Sequence, residues 1–281
     1  MAITVTPLSP ALGAEIGGVD LSQPADLRTL EQIHRAWLDH LVIVIRGQTL
    51  DEPAQERFAS FFGELQEVRS RPGERKPNEH VMIIGNVTVD GRKGELPEGE
   101  LQFHADQCYY EAPSKATLLY AIEVPSSGGN TLFSNTYLAF DSLPPELQRR
   151  LEQLDCFFLY DYNNAAAKRS GPISQDAPQF THPAVVRHPE TGKPSLFVNR
   201  LMSDHLVGVD AEESQAILDE LYAVQERPEF VYEHVWRPGD LVMWDNRCTL
   251  HARTDFDPSE RRFLRRMTVK GDRPIAARAA A

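Results

Sequence analysis

The sequence predicts a mainly β architecture with helical decoration, an α+β arrangement built on a β-sandwich or jelly roll. Two observations carry this: many short β-branched or alternating runs bounded by turn residues, and only a few segments with apolar residues at helical spacing. A third is the absence of any internal repeat, low-complexity tract or linker, which makes residues 1–281 one domain.

Pro7 to Gly18 is rich in Ala, Gly and Pro and reads as a strand-and-turn opening. From Ser22 to His40, Leu27, Leu30, Ile33 and Trp37 fall at helical spacing after a Ser-x-Pro start. Leu41 to Ile45 is a continuous apolar, mostly β-branched run, the pattern of a strand buried on both faces. Asp51 and Pro53 open a second helix whose apolar face carries Phe58, Phe61 and Phe62, with Gly63 placed to close it. Ile84 to Gly91 ends in a hairpin signal, and Gly94 to Glu100 has no periodicity; residues 85–101 are a candidate lid, as are 162–181, where Asn, Ala, Ser, Gly and Pro dominate. A plain surface loop is the commoner reading of such segments. Leu118–Val124 and Thr131–Ser134 read as strands, and a helix begins near Pro144-Pro145-Glu146. Beyond Thr181 come strand, turn, strand (Ala184–Val186, Pro189–Lys193, Leu196–Val198), then a helix capped by Asp210 with Glu213, then strands over Phe230–Trp236 and Leu241–Trp244.

Composition excludes several function classes. The 281 residues are 41% hydrophobic and 25% charged, enough for one large core, and the net charge of −12 with pI near 5.2 argues against nucleic acid or an anionic membrane surface as a partner. Cys108, Cys156 and Cys248 are widely spaced with no CxxC, which fits a reducing compartment. Met1 to Pro7 has neither a basic nor an apolar leader region, and no apolar run approaches ~18 residues, so a cytoplasmic protein is expected.

His104 and Asp106 lie two residues apart in an aromatic-rich segment, and on a strand i and i+2 leave the same face, so both could reach one metal ion. A third ligand is needed. His34 and His40 sit in a helix and His188 precedes Pro in a turn, while His80, His182, His205 and His234 have no acidic or histidine neighbour at ligand spacing, so each reads as a surface or core histidine. His251 differs, because it follows an apolar strand, precedes a basic one, and lies 147 positions after His104, which suits a late strand packing beside an early one. Two histidines and one carboxylate leave metal positions open, as in non-haem Fe(II) oxygenases; zinc accepts such ligands too, but its helical His-Glu-x-x-His signature is absent. In Arg261 to Val269, period two puts Arg262, Leu264 and Arg266 on one face. Two guanidiniums aimed inward beside a metal need anionic partners, and arginine grips carboxylates with a two-point fork. Arginines along a solvated edge strand fit the same stretch.

With these residues in place the sequence resembles the taurine and dichlorophenoxyacetate dioxygenases across nearly its whole length. The resemblance rests on Gly17-Gly18-Val19-Asp20-Leu21, Val44-Ile45-Arg46-Gly47-Gln48, His104-Ala105-Asp106, Gly128-Gly129-Asn130-Thr131, Leu196-Phe197-Val198-Asn199 and Trp244-Asp245-Asn246-Arg247. It implies a double-stranded β-helix (jelly roll, cupin-like) that uses Fe(II), 2-oxoglutarate and O2, and a small anionic organic substrate such as a sulfonate, aryloxyalkanoate or other carboxylate. It also implies a homo-oligomer, dimer or tetramer. By the same likeness His104, Asp106 and His251 are the iron ligands. Arg262, eleven positions after His251, would hold the distal carboxylate of 2-oxoglutarate with help from the Thr131 hydroxyl, and Arg266 would hold the acidic group of the substrate. Gln102, Phe103 and Tyr109, with Gln107 and Cys108, become candidate walls of the substrate pocket. Asn130 replaces a common Asp, and Gln66 to Arg71 lacks the histidine and tyrosine that the taurine enzymes carry there, which makes Arg69 or Arg71 a candidate extra anion contact. The expected reaction is hydroxylation coupled to decarboxylation of 2-oxoglutarate to succinate and CO2, with fragmentation where the hydroxylated carbon bears a leaving group. Two other classes stay open: a metal-dependent hydrolase on a cupin-like barrel, and a noncatalytic binder of an acidic metabolite.

Overall fold

The structure is a computed structural model that describes residues 3–68, 78–96, 101–160 and 176–278. Arg69 and Arg71 lie outside the described residues, as do 97–100 of the first candidate lid and 162–175 of the second.

Eleven strands make two facing sheets: β1 (Thr4–Pro7), β2 (Ala14–Gly17), β3 (Val42–Ile45), β4 (Met82–Gly85), β5 (Leu101–His104), β6 (Ser114–Glu123), β7 (Thr131–Asn135), β8 (Val231–His234), β9 (Leu241–Asp245), β10 (Thr249–Arg253) and β11 (Phe263–Lys270). The larger sheet runs β1-β2-β3-β9-β6-β11-β4 and the smaller β8-β7-β10-β5. Every pairing in them is antiparallel except β2 with β3, and the result is the expected jelly roll.

The apolar run before Gly47 explains the layering. Val42 and Val44 face the space between the sheets, where Phe133, Trp244 and Leu264 also lie, whereas Ile43 and Ile45 face outward. The outward face is covered by α1 (Leu27–His40) and α2 (Glu52–Ser60) through Ile33, Trp37 and Phe58, so both faces are dry and the run need not alternate. Each such side chain contributes about 1.5–3 kcal/mol on burial. A third layer holds α3 (Thr136–Asp141), α4 (Pro145–Leu151), α5 (Ala211–Gln225) and two small sheets. Its core, which includes Phe158, Leu196 and Phe197, packs behind the end of β5 around Leu101, Ala105 and Cys108.

Several boundaries differ from expectation. α1 is capped by Asp26 and not by Ser22: the Thr29 amide donates to Asp26 Oδ1 at 2.9 Å, while Pro24 disfavours helical geometry in the residue before it. α2 stops at Ser60, so Phe61 and Phe62 sit in the following turn, although Phe62 still packs edge-on against Trp37 with ring centres 5.7 Å apart. α3 was not legible as a helix; Asn135 ends β7 and caps it by accepting from the amides of Tyr137 and Leu138. The hairpin signal holds: Asp90 and Gly91 have φ of 50° and 77°, the pair of positive values a tight hairpin turn requires. No helix among the described residues is long and apolar enough to cross a membrane.

Candidate active site

β5 and β10 are neighbours in the small sheet, and their register sets His104 directly opposite His251. The two rings lie 4.1 Å apart between centres, and Asp106, just past the end of β5, places Oδ1 at 3.8 Å from Nε2 of each. All three residues are at least nine-tenths buried. His104 donates from Nδ1 to the Gln102 carbonyl at 2.8 Å, which leaves the Nε2 lone pair facing Asp106. Burial lowers both imidazole pKa values, that of His251 further because His104 adds its repulsion, so both rings are neutral. Burial alone would raise the Asp106 carboxyl; the charge of Arg266, with the flanking imidazoles and a hydrogen bond from Thr117, outweighs it and holds the group below the usual carboxylate range. Two neutral imidazoles and one carboxylate, with donor atoms within 4.8 Å of one another, fit a divalent metal ion with positions to spare.

The carboxylate is fixed from behind. Oδ2 accepts from Thr117 Oγ1 at 2.6 Å and pairs with Arg266 Nη2 at 2.9 Å, so Oδ1 is the oxygen turned toward the imidazoles. Thr117 accepts from Asn246 Nδ2 at 3.0 Å, and Asn246 Oδ1 accepts from both Trp244 Nε1 and the Asp106 amide. Nothing in the sequence marks Thr117, which meets Asp106 only because β6 lies beside β9 and β11. A second cluster of ligand-type residues, His188, Asp245 and Cys248, is differently occupied. Asp245 is gripped by Arg247 at 2.8 and 2.6 Å and by His188 at 3.0 Å, and burial pushes the Cys248 thiol well above its ordinary range. It is a salt-bridged part of the core, with no carboxylate oxygen left for a metal.

On one side of the triad lies a cavity of about 50 Å³ whose lining includes Thr131, His251, Arg253 and Arg262. Arg262 is 1% exposed, yet its Nε and Nη1 have no hydrogen-bond partner among the described residues; Nη2 donates weakly to Gly129 O at 3.3 Å. Its backbone is bracketed by Asn86, which accepts from the Arg262 amide at 2.9 Å and donates from its own amide to the Arg262 carbonyl at 3.2 Å. Gly85 allows this approach, since a Cβ there would lie 1.8 Å from the Arg262 carbonyl oxygen. Thr131 accepts from the Trp236 indole N–H at 3.0 Å; indole can only donate, so the threonine proton is free to point elsewhere.

On the other side a larger cavity, about 370 Å³, has His104, Asp106 and Arg266 among its lining residues and aromatic side chains in its wall. Tyr109 sits between Tyr110 and Tyr160, with 4.7 Å between ring centres in each case, and Met82, Leu96 and Leu101 extend the apolar surface. Arg266 reaches this cavity but is shared with Asp106, and its Nε has no partner among the described residues. Tyr109 and Gln107 therefore line the cavity as expected, whereas Gln102, Phe103 and Cys108 do not. For Gln102 the reason is an irregularity: the β5–β10 register shifts between His251 and Arg253, which brings Leu101 and His104 to the inner face together and takes Gln102 off it, while Phe103 is on the other face from His104 in any case. Phe103 packs on the third-layer core, and Cys108 is fully buried there against Met202.

The geometry agrees with what the chain resembles. Residues 4–268 match the family described as "Taurine catabolism dioxygenase TauD, TfdA family". Pentalenolactone F synthase of Streptomyces arenae is 33% identical over 98% of this chain and 97% of its own length. The alpha-ketoglutarate-dependent 2,4-dichlorophenoxyacetate dioxygenase of Cupriavidus pinatubonensis is 34% identical over 97% and 99%. A crystal structure of a taurine dioxygenase from Burkholderia xenovorans superposes with a TM-score of 0.84 at 30% identity, covering 98% of this chain and 91% of that one. The chain belongs to the TauD/TfdA family and is a non-haem iron dioxygenase that uses Fe(II), 2-oxoglutarate and O2.

Proposed function

We propose that the enzyme hydroxylates a C–H bond of a small organic monoanion with an apolar, preferably aromatic, body. The observation that carries this is the pair of guanidiniums beside the His104–Asp106–His251 cluster, Arg262 in the small cavity and Arg266 lining both, with Nε and Nη1 of Arg262 and Nε of Arg266 buried and lacking a protein partner among the described residues. Unpaired buried cations are costly, so each marks a place for an anion that belongs to a ligand. Hydrolysis by the same triad would leave Arg262 without a purpose.

In this reading Oδ1 of Asp106 and Nε2 of both histidines hold the iron, and Arg262 with the Thr131 hydroxyl holds the distal carboxylate of 2-oxoglutarate. Arg266 takes the substrate anion with its remaining N–H groups, and the Tyr109 wall covers the substrate body and keeps water off the reacting carbon. Fe(II) with 2-oxoglutarate and O2 supplies the oxidising power, releasing succinate and CO2 as a hydroxyl is placed on the substrate. If that carbon bears an ether or sulfate-type oxygen, the product breaks down by itself. The protein's own part is orientation: the Thr117–Asn246–Trp244 chain sets Asp106, and Arg266 connects that carboxylate to the substrate.

Succinate release, assayed with Fe(II), ascorbate and 2-oxoglutarate over sulfonates, alkyl sulfates, aryloxyalkanoates and terpenoid carboxylates, tests the proposal. Anions with a ring or long alkyl body are expected to outperform taurine by at least about tenfold, a single well-filled apolar contact being about 1.4 kcal/mol. Taurine as the best substrate would sink the aromatic-wall reading, and no succinate with any compound would sink the oxygenase reading. Arg266→Ala is expected to raise substrate KM about 10- to 100-fold while 2-oxoglutarate affinity stays within about threefold. A fall in 2-oxoglutarate affinity with substrate KM unchanged would show the two arginine roles reversed. Trp236→Phe removes one neutral hydrogen bond from Thr131, so calorimetry should show 2-oxoglutarate binding weakened about three- to tenfold. An equal loss in a Thr131→Val background would mean that Trp236 does not act through that hydroxyl.

A further inference from the structure

Arg253 is two residues beyond His251 on β10, with Thr131 opposite it on β7 and Leu101 opposite it on β5. It lines the same small cavity as Arg262 and is 6% exposed. The two guanidiniums share one aromatic ring, lying 5.6 and 5.8 Å from the centre of Phe256, and the charge of Arg253 adds to the burial that lowers the Arg262 pKa. Like charges held this close in a dry cavity repel, and an anion between them removes the repulsion.

Arg253 also reaches out of that cavity, since its Nη1 donates to the Leu96 carbonyl at 2.6 Å. Leu96 lies where the two cavities meet, lining both together with Leu101, His104, Asp106 and Arg266. Its φ is 53°, a conformation leucine adopts only when its surroundings impose it. On its N-terminal side the chain is tied to β4: the Glu95 amide donates to Ile83 O and the Gly85 amide to Glu95 O, both at 2.9 Å. Among the described residues the Arg253 contact ties it on the cavity side.

We propose that Arg253 is a positioning residue that couples occupancy of the 2-oxoglutarate cavity to the Leu96 wall of the substrate cavity. This rests on the reading that the distal carboxylate of 2-oxoglutarate lies beside Arg262. A carboxylate there offsets the repulsion between Arg253 and Arg262 and holds Arg253 in place. Arg253 in turn holds the Leu96 carbonyl, so the substrate-facing wall is set by the cosubstrate before any substrate contact is made. Linkage makes the effect mutual: whatever fixes Leu96 also favours the Arg253 position that the carboxylate needs.

Amide hydrogen exchange of the peptide containing Glu95 and Leu96 tests this, in Mn(II)-loaded full-length protein without O2, with and without saturating 2-oxoglutarate. Exchange in the wild type is expected to slow about tenfold on adding 2-oxoglutarate. In Arg253→Met, which keeps the stem over Phe256 but not the fork, slowing should fall below about twofold while calorimetry still records 2-oxoglutarate binding. Arg253→Lys keeps the charge without the two-ended reach and should fall below about threefold, which decides the matter if the methionine variant does not fold. Full slowing in either variant, or none in the wild type with 2-oxoglutarate bound, overturns the coupling. Failure of the wild type to bind 2-oxoglutarate would instead overturn the cosubstrate reading on which it rests.

Discussion

His104→Ala is expected to lose stoichiometric binding of Fe(II) or Mn(II) and, with it, succinate formation. Three protein atoms converge on one point, Oδ1 of Asp106 and the Nε2 atoms of His104 and His251, and among the described residues the cluster has no fourth histidine, cysteine or acidic side chain to substitute. The affinity loss should exceed the roughly 10- to 100-fold typical of losing a group that merely orients a ligand. Thr117→Val supplies that comparison, because it leaves all three donors but releases Asp106 Oδ2 from its 2.6 Å hydrogen bond. Metal content after dialysis, read beside circular dichroism to confirm the fold, separates the two variants. Wild-type Mn(II) binding by His104→Ala would place the metal elsewhere.

Much of this centre was legible because it follows from simple periods. His104 and Asp106 are two apart, His251 returns on a late strand, and Arg266 on β11 and Arg262 just before it belong to a strand that is interior to the larger sheet and not a solvated edge. What was not legible depends on register. Thr117 and Asn246 are common residues 129 positions apart, joined only because β6 and β9 align to bring one beside the other. Trp236 acts on Thr131 through a contact across 105 positions, and Arg253 was passed over because its spacing from His251 says nothing until the cavity beside Arg262 exists. Gln102, which strict alternation would put on the His104 face, leaves it because the register shifts at that point, whereas Phe103 lies on the opposite face even in a regular strand and packs on the third-layer core. The run Trp244-Asp245-Asn246-Arg247, notable first only as a family likeness, divides into separate tasks. Trp244 packs on His251 at 4.8 Å, Asn246 serves the Asp106 network, and Asp245 and Arg247 lock a buried ion pair.

Arg262→Met is expected to change stability and function in opposite directions. In the free protein the guanidinium is 1% exposed, with one weak bond to Gly129 O and two nitrogens unpartnered among the described residues. Burial, aided by the charge of Arg253, pushes its pKa from an ordinary 12.5 down to about 9. A base whose folded pKa lies below its unfolded one binds its proton less well when folded, so it destabilises the fold fully below about pH 9, and the penalty fades as pH rises from there toward 12.5. Methionine keeps an unbranched apolar stem without the charge, and replacing a buried, poorly paired ion in this way is neutral or stabilising by about 1–4 kcal/mol. Without 2-oxoglutarate, Arg262→Met should therefore melt at least about 2–4 °C above the wild type at neutral pH, with the gap narrowing above about pH 9. Adding 2-oxoglutarate to the Mn(II)-loaded proteins should reverse the order. At 100 times its Kd a ligand stabilises by about 2.7 kcal/mol, and the variant, lacking a charge-assisted fork, should bind about 100-fold or more weakly and gain little. A ligand-free variant less stable than wild type would make Arg262 a structural residue. Equal stabilisation of both proteins by 2-oxoglutarate would place the carboxylate away from it.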